Sequence, residues 1–166
     1  MLATGIIHHA NFLEIVRHPW FMSAFLAAIS AQLLKMVIVW WNTGKINFRR
    51  ALRSSGGMPS THSALVSSLS LAICMTDGFD APYSMVAVGL SAIVLIDAAT
   101  LRRAAGEHAK LLNRIVAHLN TINEEDRLEA QRLEERLGHS RREVIAGVLW
   151  GFFVAFVVCA FWDFWK

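Results

Sequence analysis

The chain has 166 residues, 55% of them hydrophobic and only 17% charged, with a mean hydropathy of +0.42. A soluble domain carries about 25% charged residues; here the few charges are gathered into blocks, which excludes an ordinary soluble globule and points to membrane segments. The net charge of +3 does not indicate nucleic acid, because the basic residues lack interleaved aromatics and stand beside apolar blocks, where membrane topology accounts for them.

Taken in chain order, residues 1–19 read as a short N-terminal interfacial segment. Their apolar stretch is weak and interrupted and no basic leader precedes it, unlike a cleavable signal peptide. His8, His9 and His18 read as surface histidines, and no metal site is expected. Trp20 to Trp41 is long enough to cross a hydrocarbon core of about 30 Å, with Trp20, Trp40 and Trp41 at its ends as interfacial anchors. The segment from His62 to about Met75 is shorter and serine-rich, and spans only if tilted, thinned or shielded by neighbours. A third block runs from Pro82 to Leu101 and can continue as helix through "RRAAGEHAKLLNRIVAHL". A charged helix is predicted from about 121 to 138, capped by Asn123, with Glu124, Glu125 and Asp126 in its first turn and Gly138 at its end. The fourth block runs from about Val144 to Phe164. Cys74 and Cys159 lie inside apolar runs and read as small buried hydrophobes. The expected fold is therefore all-α: one integral membrane domain over 1–166, a helical bundle with about four membrane helices and a cytosolic helical extension.

Thirteen of the sixteen Lys and Arg fall between the first and second blocks or between the third and fourth. The excess of cations on cytoplasmic loops predicts that both regions, and the motifs in them, face the cytoplasm, with Asp77, Asp80 and both termini outside.

Two motifs carry candidate chemistry. "GGMPSTHSA" (56–64) precedes a helix, so backbone N–H groups at its positive end, close approach at Gly57, and the hydroxyls of Ser60 and Thr61 make an anion site. A plain helix start with Ser60 or Ser63 as N-cap is the duller alternative and leaves His62 unused. "GHSRREVIAG" (138–147) places His139 at a second helix start, with Glu143 one turn on to orient its imidazole. Ser140 and Glu143 also form a capping box. Lys35, Asp97, Arg102 and Arg103 lie near the same membrane boundary. An ionisable residue in a membrane helix marks a functional site by default, although Lys35 can also snorkel to the interface. Two histidines, a hydroxyl-glycine loop and these cations suit phosphoryl transfer.

Pro59-Ser60-Thr61-His62 resembles the Pro-Ser-Gly-His motif of the type 2 phosphatidic acid phosphatase and vanadium haloperoxidase superfamily, and His139-x-x-x-Glu143-Val144-x-x-Gly147 resembles its His-x-x-x-Asp-Val-x-x-Gly motif. With "AQLLK" and "DAATLRRAAGEHAKLLN", the chain is similar over about residues 18–155 to a small divergent branch of that superfamily. The resemblance implies His139 as nucleophile, Glu143 as its orienting carboxylate and His62 as general acid. It further implies phosphate binding by Ser60, the Thr61 amide and Lys35. The pattern also departs from the superfamily's. Asn42 stands seven positions after Lys35 where an Arg is usual. Leu133 stands six before His139 with Arg132 one position off, so that Arg102 or Arg103 would have to substitute. The implied activity is hydrolysis of a lipid or isoprenoid phosphate through a phosphohistidine, without cofactor; vanadate would bind only as a phosphate mimic. The alternative is a non-catalytic membrane protein that keeps the anion pocket for lipid binding, transport or partner contact. Expected partners are the lipid or isoprenoid phosphate and membrane lipids, with room for a homo-oligomer and none for nucleic acid.

Overall fold

A computed structural model describes residues 12–44, 57–122, 131–135 and 137–165. Among them are six helices: α1 (Phe12–Arg17), α2 (Pro19–Thr43), α3 (Thr61–Asp77), α4 (Pro82–Ala99), α5 (Leu101–Ile122) and α6 (Arg141–Trp165). Three stretches are long and apolar enough to cross a membrane: Pro19–Thr43, Pro82–Ile122 with its break at Thr100, and Arg141–Trp162. The chain is an all-α integral membrane bundle. The serine-rich segment that looked too short to span alone is α3, which packs against α2, α4 and α6 and so lies shielded among longer neighbours.

The core is built from small residues. Ser23, Ala27, Ala31 and Lys35 of α2 are buried at every fourth position, as are Ala64, Ser68 and Ala72 of α3, and Gly151, Ala155 and Cys159 of α6. Residues four apart share one helix face, so each helix presents a smooth ridge to its neighbours. Large side chains such as Phe25, Leu33, Ile93, Leu149 and Phe156 point outward. This inversion follows from the solvent. Lipid tails are as apolar as Leu, so nothing drives large apolar groups inward, and small residues let backbones approach until dispersion and polar contacts hold them. The closest approach is between α6 and α3, where a Cβ on Gly147 would lie 2.5 Å from the Ser60 carbonyl oxygen and one on Gly151 would strike the Ala64 carbonyl.

The helices alternate in direction. The start of α2 meets the end of α3, where the Trp20 indole N–H donates to Thr76 Oγ1 (2.6 Å) and the Trp20 ring lies 6.4 Å from that of Tyr83. The starts of α3 and α6 and the end of α4 gather at the opposite end, with Lys35 near them on α2.

Two expectations are corrected. The third block does not run on as one helix. Thr100 leaves helical geometry (φ −120°, ψ −75°), and Asp97 and Arg102 pair across the break at 2.8 Å. On an unbroken helix, residues five apart face away from each other, at about 100° per residue. Nor is the charged segment helical up to Gly138. Residues 123–130, with the Asn123 cap and Glu124–Asp126, lie outside the described residues, but 131–135 and 137–138 form an irregular strap laid along α5. Asn113 holds it as a strand would: its side-chain carbonyl accepts from the Leu133 N–H (3.0 Å) and its amide donates to the Leu133 carbonyl and to Glu135 Oε1 (both 2.9 Å). That Asn113 contact, aided by nearby Arg132, holds the Glu135 carboxyl below its ordinary range. Leu, Glu, Arg and Gln are good helix formers, so here a tertiary contact overrides local propensity: Asn113 gives this stretch the backbone partners that a helix would otherwise supply. Of the N-terminal segment, residues 1–11 lie outside the described residues; His18 caps α2, its Nδ1 accepting from the Trp20 N–H (3.4 Å).

Candidate functional site

At the end where α3 and α6 begin, His139 enters through a tight passage. Gly138 (φ +81°) lies so close to the Arg102–Arg103 backbone that any Cβ would collide with it. Its positive φ and this approach, rather than the end of a helix, explain the glycine. The His139 N–H then donates to the Ala98 carbonyl (3.1 Å), so the last turn of α4 fixes the backbone of the candidate nucleophile. Its side chain is 5% exposed, and Nδ1 stands 2.9 Å from Glu143 Oε2. With Nδ1–H donating to that carboxylate, the lone pair of neutral imidazole is left on Nε2.

Glu143 serves both readings of its motif at once. As a cap, Oε2 accepts from the Ser140 N–H (3.4 Å) while the Glu143 N–H donates to Ser140 Oγ (3.4 Å). As an orienting group it holds His139. It also ties the other motif, 86 residues away in sequence, because the Gly57 N–H donates to Oε2 (3.3 Å) and the Ser60 N–H to the Glu143 carbonyl (3.1 Å).

That geometry reassigns two of the expected anion donors. The Gly57 amide is engaged by Glu143, although Gly57 still lies on the Lys35 stem. Ser60 is fully buried and is the N-cap of α3, its Oγ accepting from the Ser63 N–H (3.3 Å) and hydroxyl (2.9 Å). Ser60 thus makes the N-cap contacts of the duller reading. The amides of Thr61 and His62 are left as helix-end donors without an intrahelical acceptor, as at any helix start. The Thr61 hydroxyl donates to Gln32 Oε1 (3.0 Å), a residue that the sequence reading quoted but gave no role.

Around this frame stand the cations. Lys35 is 4% exposed, lies within electrostatic reach of Glu143, and is held by no hydrogen bond or ion pair from the described residues. His62, exposed at the start of α3, feels the charges of Arg102, His139 and Lys35 together. Arg102 is clasped by Asp97, which gives Asp97 its supporting place, while Arg103 is exposed beside the Gly138 passage. Arg132 does not join the group: it is largely exposed and pairs with Glu135 (3.6 Å) on the strap.

The structure thus brings His62, His139, Glu143, Lys35, Thr61 and Arg102 to one end of the bundle. A buried ammonium, free helix-end amides and an imidazole held by carboxylate can neutralise an anion and attack it.

Residues 16–154 match a family model described as "Divergent PAP2 family". The chain is 32% identical over 157 residues, covering 90% of itself and 99% of the relative, to the uncharacterized membrane protein YuiD of Bacillus subtilis (strain 168). No solved structure matches.

Proposed function

Because the chain belongs to the divergent PAP2 family, we propose that it is an integral-membrane phosphatase acting on a lipid or isoprenoid phosphate through a phosphohistidine on His139. The observation that carries this reading is buried His139 held at 2.9 Å by the half-buried Glu143, beside the buried Lys35. His139 Nε2 attacks phosphorus as the P–O bond to the lipid alcohol breaks, and His62 gives its proton to the departing oxygen. Neutral His62 then takes a proton from water, which attacks phosphorus and breaks the P–N bond, releasing phosphate and restoring His139. Glu143 stabilises the imidazolium formed on the way, while Lys35, Arg102 or Arg103 and the Thr61 and His62 amides face the equatorial oxygens.

A groove of about 620 Å³ lined by residues that include Glu14, Ile15, His18, Trp20 and Phe21 lies toward the opposite end of the bundle and contains none of the site residues. The charge asymmetry noted above supports a site facing the cytoplasm. Arg53→Cys and Arg127→Cys should therefore be labelled by a membrane-impermeant maleimide only after cells are opened; labelling of either in intact cells reverses the orientation.

One observation favours a second reading, a non-catalytic anion-binding membrane protein: Gly57, Ser60 and Arg132 are engaged by other partners, so fewer donors face the anion than the family motifs imply. Purified protein assayed for phosphate release across lipid and isoprenoid phosphates separates the two. Turnover is expected, and His62→Ala should slow it by roughly 10²–10⁴-fold, with a smaller loss for leaving groups that need no proton. Vanadate binding with no release from any substrate would leave the binding reading standing alone.

A further inference from the structure

α5 has three faces. Gly106 and Asn113 lie under the strap, the carbonyls of Glu135 and Leu137 coming within 2.9 Å of where a Gly106 Cβ would stand. Arg103, Lys110 and Arg114 form a basic face. The third is an apolar stripe of Leu101, Leu111, Leu112, Ile115, Leu119 and Ile122, repeating at the three- and four-residue spacing of one helix face, with exposures from 44% to 69%. Among the described helices, α5 packs only on α4, the helix it follows. Its stripe meets no other described helix, and nothing in the proposed phosphatase mechanism uses it.

We propose that α5 lies in the lipid–water interface at the site end of the bundle, its apolar stripe in the headgroup–acyl boundary and its cations against anionic headgroups. Three observations select this occupant. The stripe begins at Leu101, immediately after the break at Thr100 that ends the membrane-crossing α4, so it starts at the membrane boundary. The Asp97–Arg102 pair closes across that break at 2.8 Å, so the two residues turn toward one another at the end of the membrane-crossing α4. The helix also carries four cations, Arg102, Arg103, Lys110 and Arg114, against one carboxylate, Glu107. That balance complements an anionic surface. The surface is that of the leaflet on the site's side, whichever side of the cell that is, and it stands independently of whether the site turns over.

The test uses the full chain in vesicles of phosphatidylcholine with phosphatidylglycerol. An environment-sensitive fluorophore is placed on Leu112→Cys and, as a control on the same helix, on Lys110→Cys; both native cysteines are buried. The label at 112 should be quenched by headgroup-proximal spin-labelled lipid several-fold more than the label at 110, and should resist aqueous iodide, with the opposite pattern at 110. Lys110→Glu with Arg114→Glu should reduce lipid quenching at 112, and omission of phosphatidylglycerol should do the same. Iodide quenching at 112 equal to that at 110 would mean a helix standing in water. Protection of 112 from both quenchers would mean a protein partner, a second copy included. Either result overturns the proposal.

Discussion

His139→Ala is expected to abolish phosphate release, by on the order of 10⁶-fold, while vanadate still binds. The first figure is the scale of losing a covalent nucleophile from a unit whose members act together. Binding survives because ground-state affinity comes from Lys35, the arginines and the helix-end amides rather than from the imidazole. Glu143→Gln is the companion change, and about 10⁴-fold is expected. Glutamine can still accept from Ser140 and Gly57 through its carbonyl, so the cap and the tie between the motifs persist, but it cannot balance the imidazolium that forms on His139. Parallel measurement of turnover, vanadate affinity and thermal unfolding checks this. If Glu143→Gln lowers the melting temperature as much as it lowers rate, Glu143 is a brace between helix starts and not an orienting group. If His139→Ala loses vanadate along with turnover, the anion sits on the imidazole and the division of labour is wrong.

Gly151→Val costs the fold rather than the chemistry. The obstacle to a Cβ at 151 is the backbone of α3 at Ala64, and at 147 the Ser60 carbonyl with the Ser63 Cβ 2.8 Å away. A flexible side chain could swing aside, but a helix backbone cannot, so α3 and α6 must separate along their length. Overpacking typically costs about 1–3 kcal/mol, and here the separation also parts Ser60 from Glu143 and opens the small-residue ridges. Gly147→Val should act in the same way and disrupt the site as well, since Ser60 stands against it. Thermal unfolding in detergent and the monodisperse yield report the outcome; wild-type values for both variants would show that α3 and α6 are not so closely packed.

Much of this was legible in the sequence because membrane helices declare themselves by length and hydropathy. The four apolar blocks match α2, α3, α4 and α6 to within a few residues. The pairing of His139 with Glu143 was readable too, since residues four apart on a helix start share a face. What escaped depends on contacts distant in sequence. The strap hangs on Asn113, and a run such as "RLEERLG" offers no local sign that a distant side chain will take its backbone bonds. Lys35 beneath Gly57, Gln32 on Thr61 and the Ala98 carbonyl on His139 are likewise tertiary. The four-residue repetition of Ser, Ala and Gly in α2, α3 and α6 was present in the letters. It is the one signal that could have identified the buried faces before the fold was seen.

The enclosure of α3 also bears on how the protein is made. A chain enters the membrane in the order of its synthesis, so α3 emerges well before α6, the helix against which it packs most closely. Until α6 arrives, Ser60, Ser63, Ser67 and Ser68 have no cover on that side, and a helix of 17 residues with so many hydroxyls gains little from lipid. Insertion of α3 is therefore a cooperative event completed by the last helix, which also brings the candidate nucleophile. A nascent chain stopped before Arg141 has neither a covered third helix nor Glu143 to hold His139, so the site is assembled only when α6 is in place.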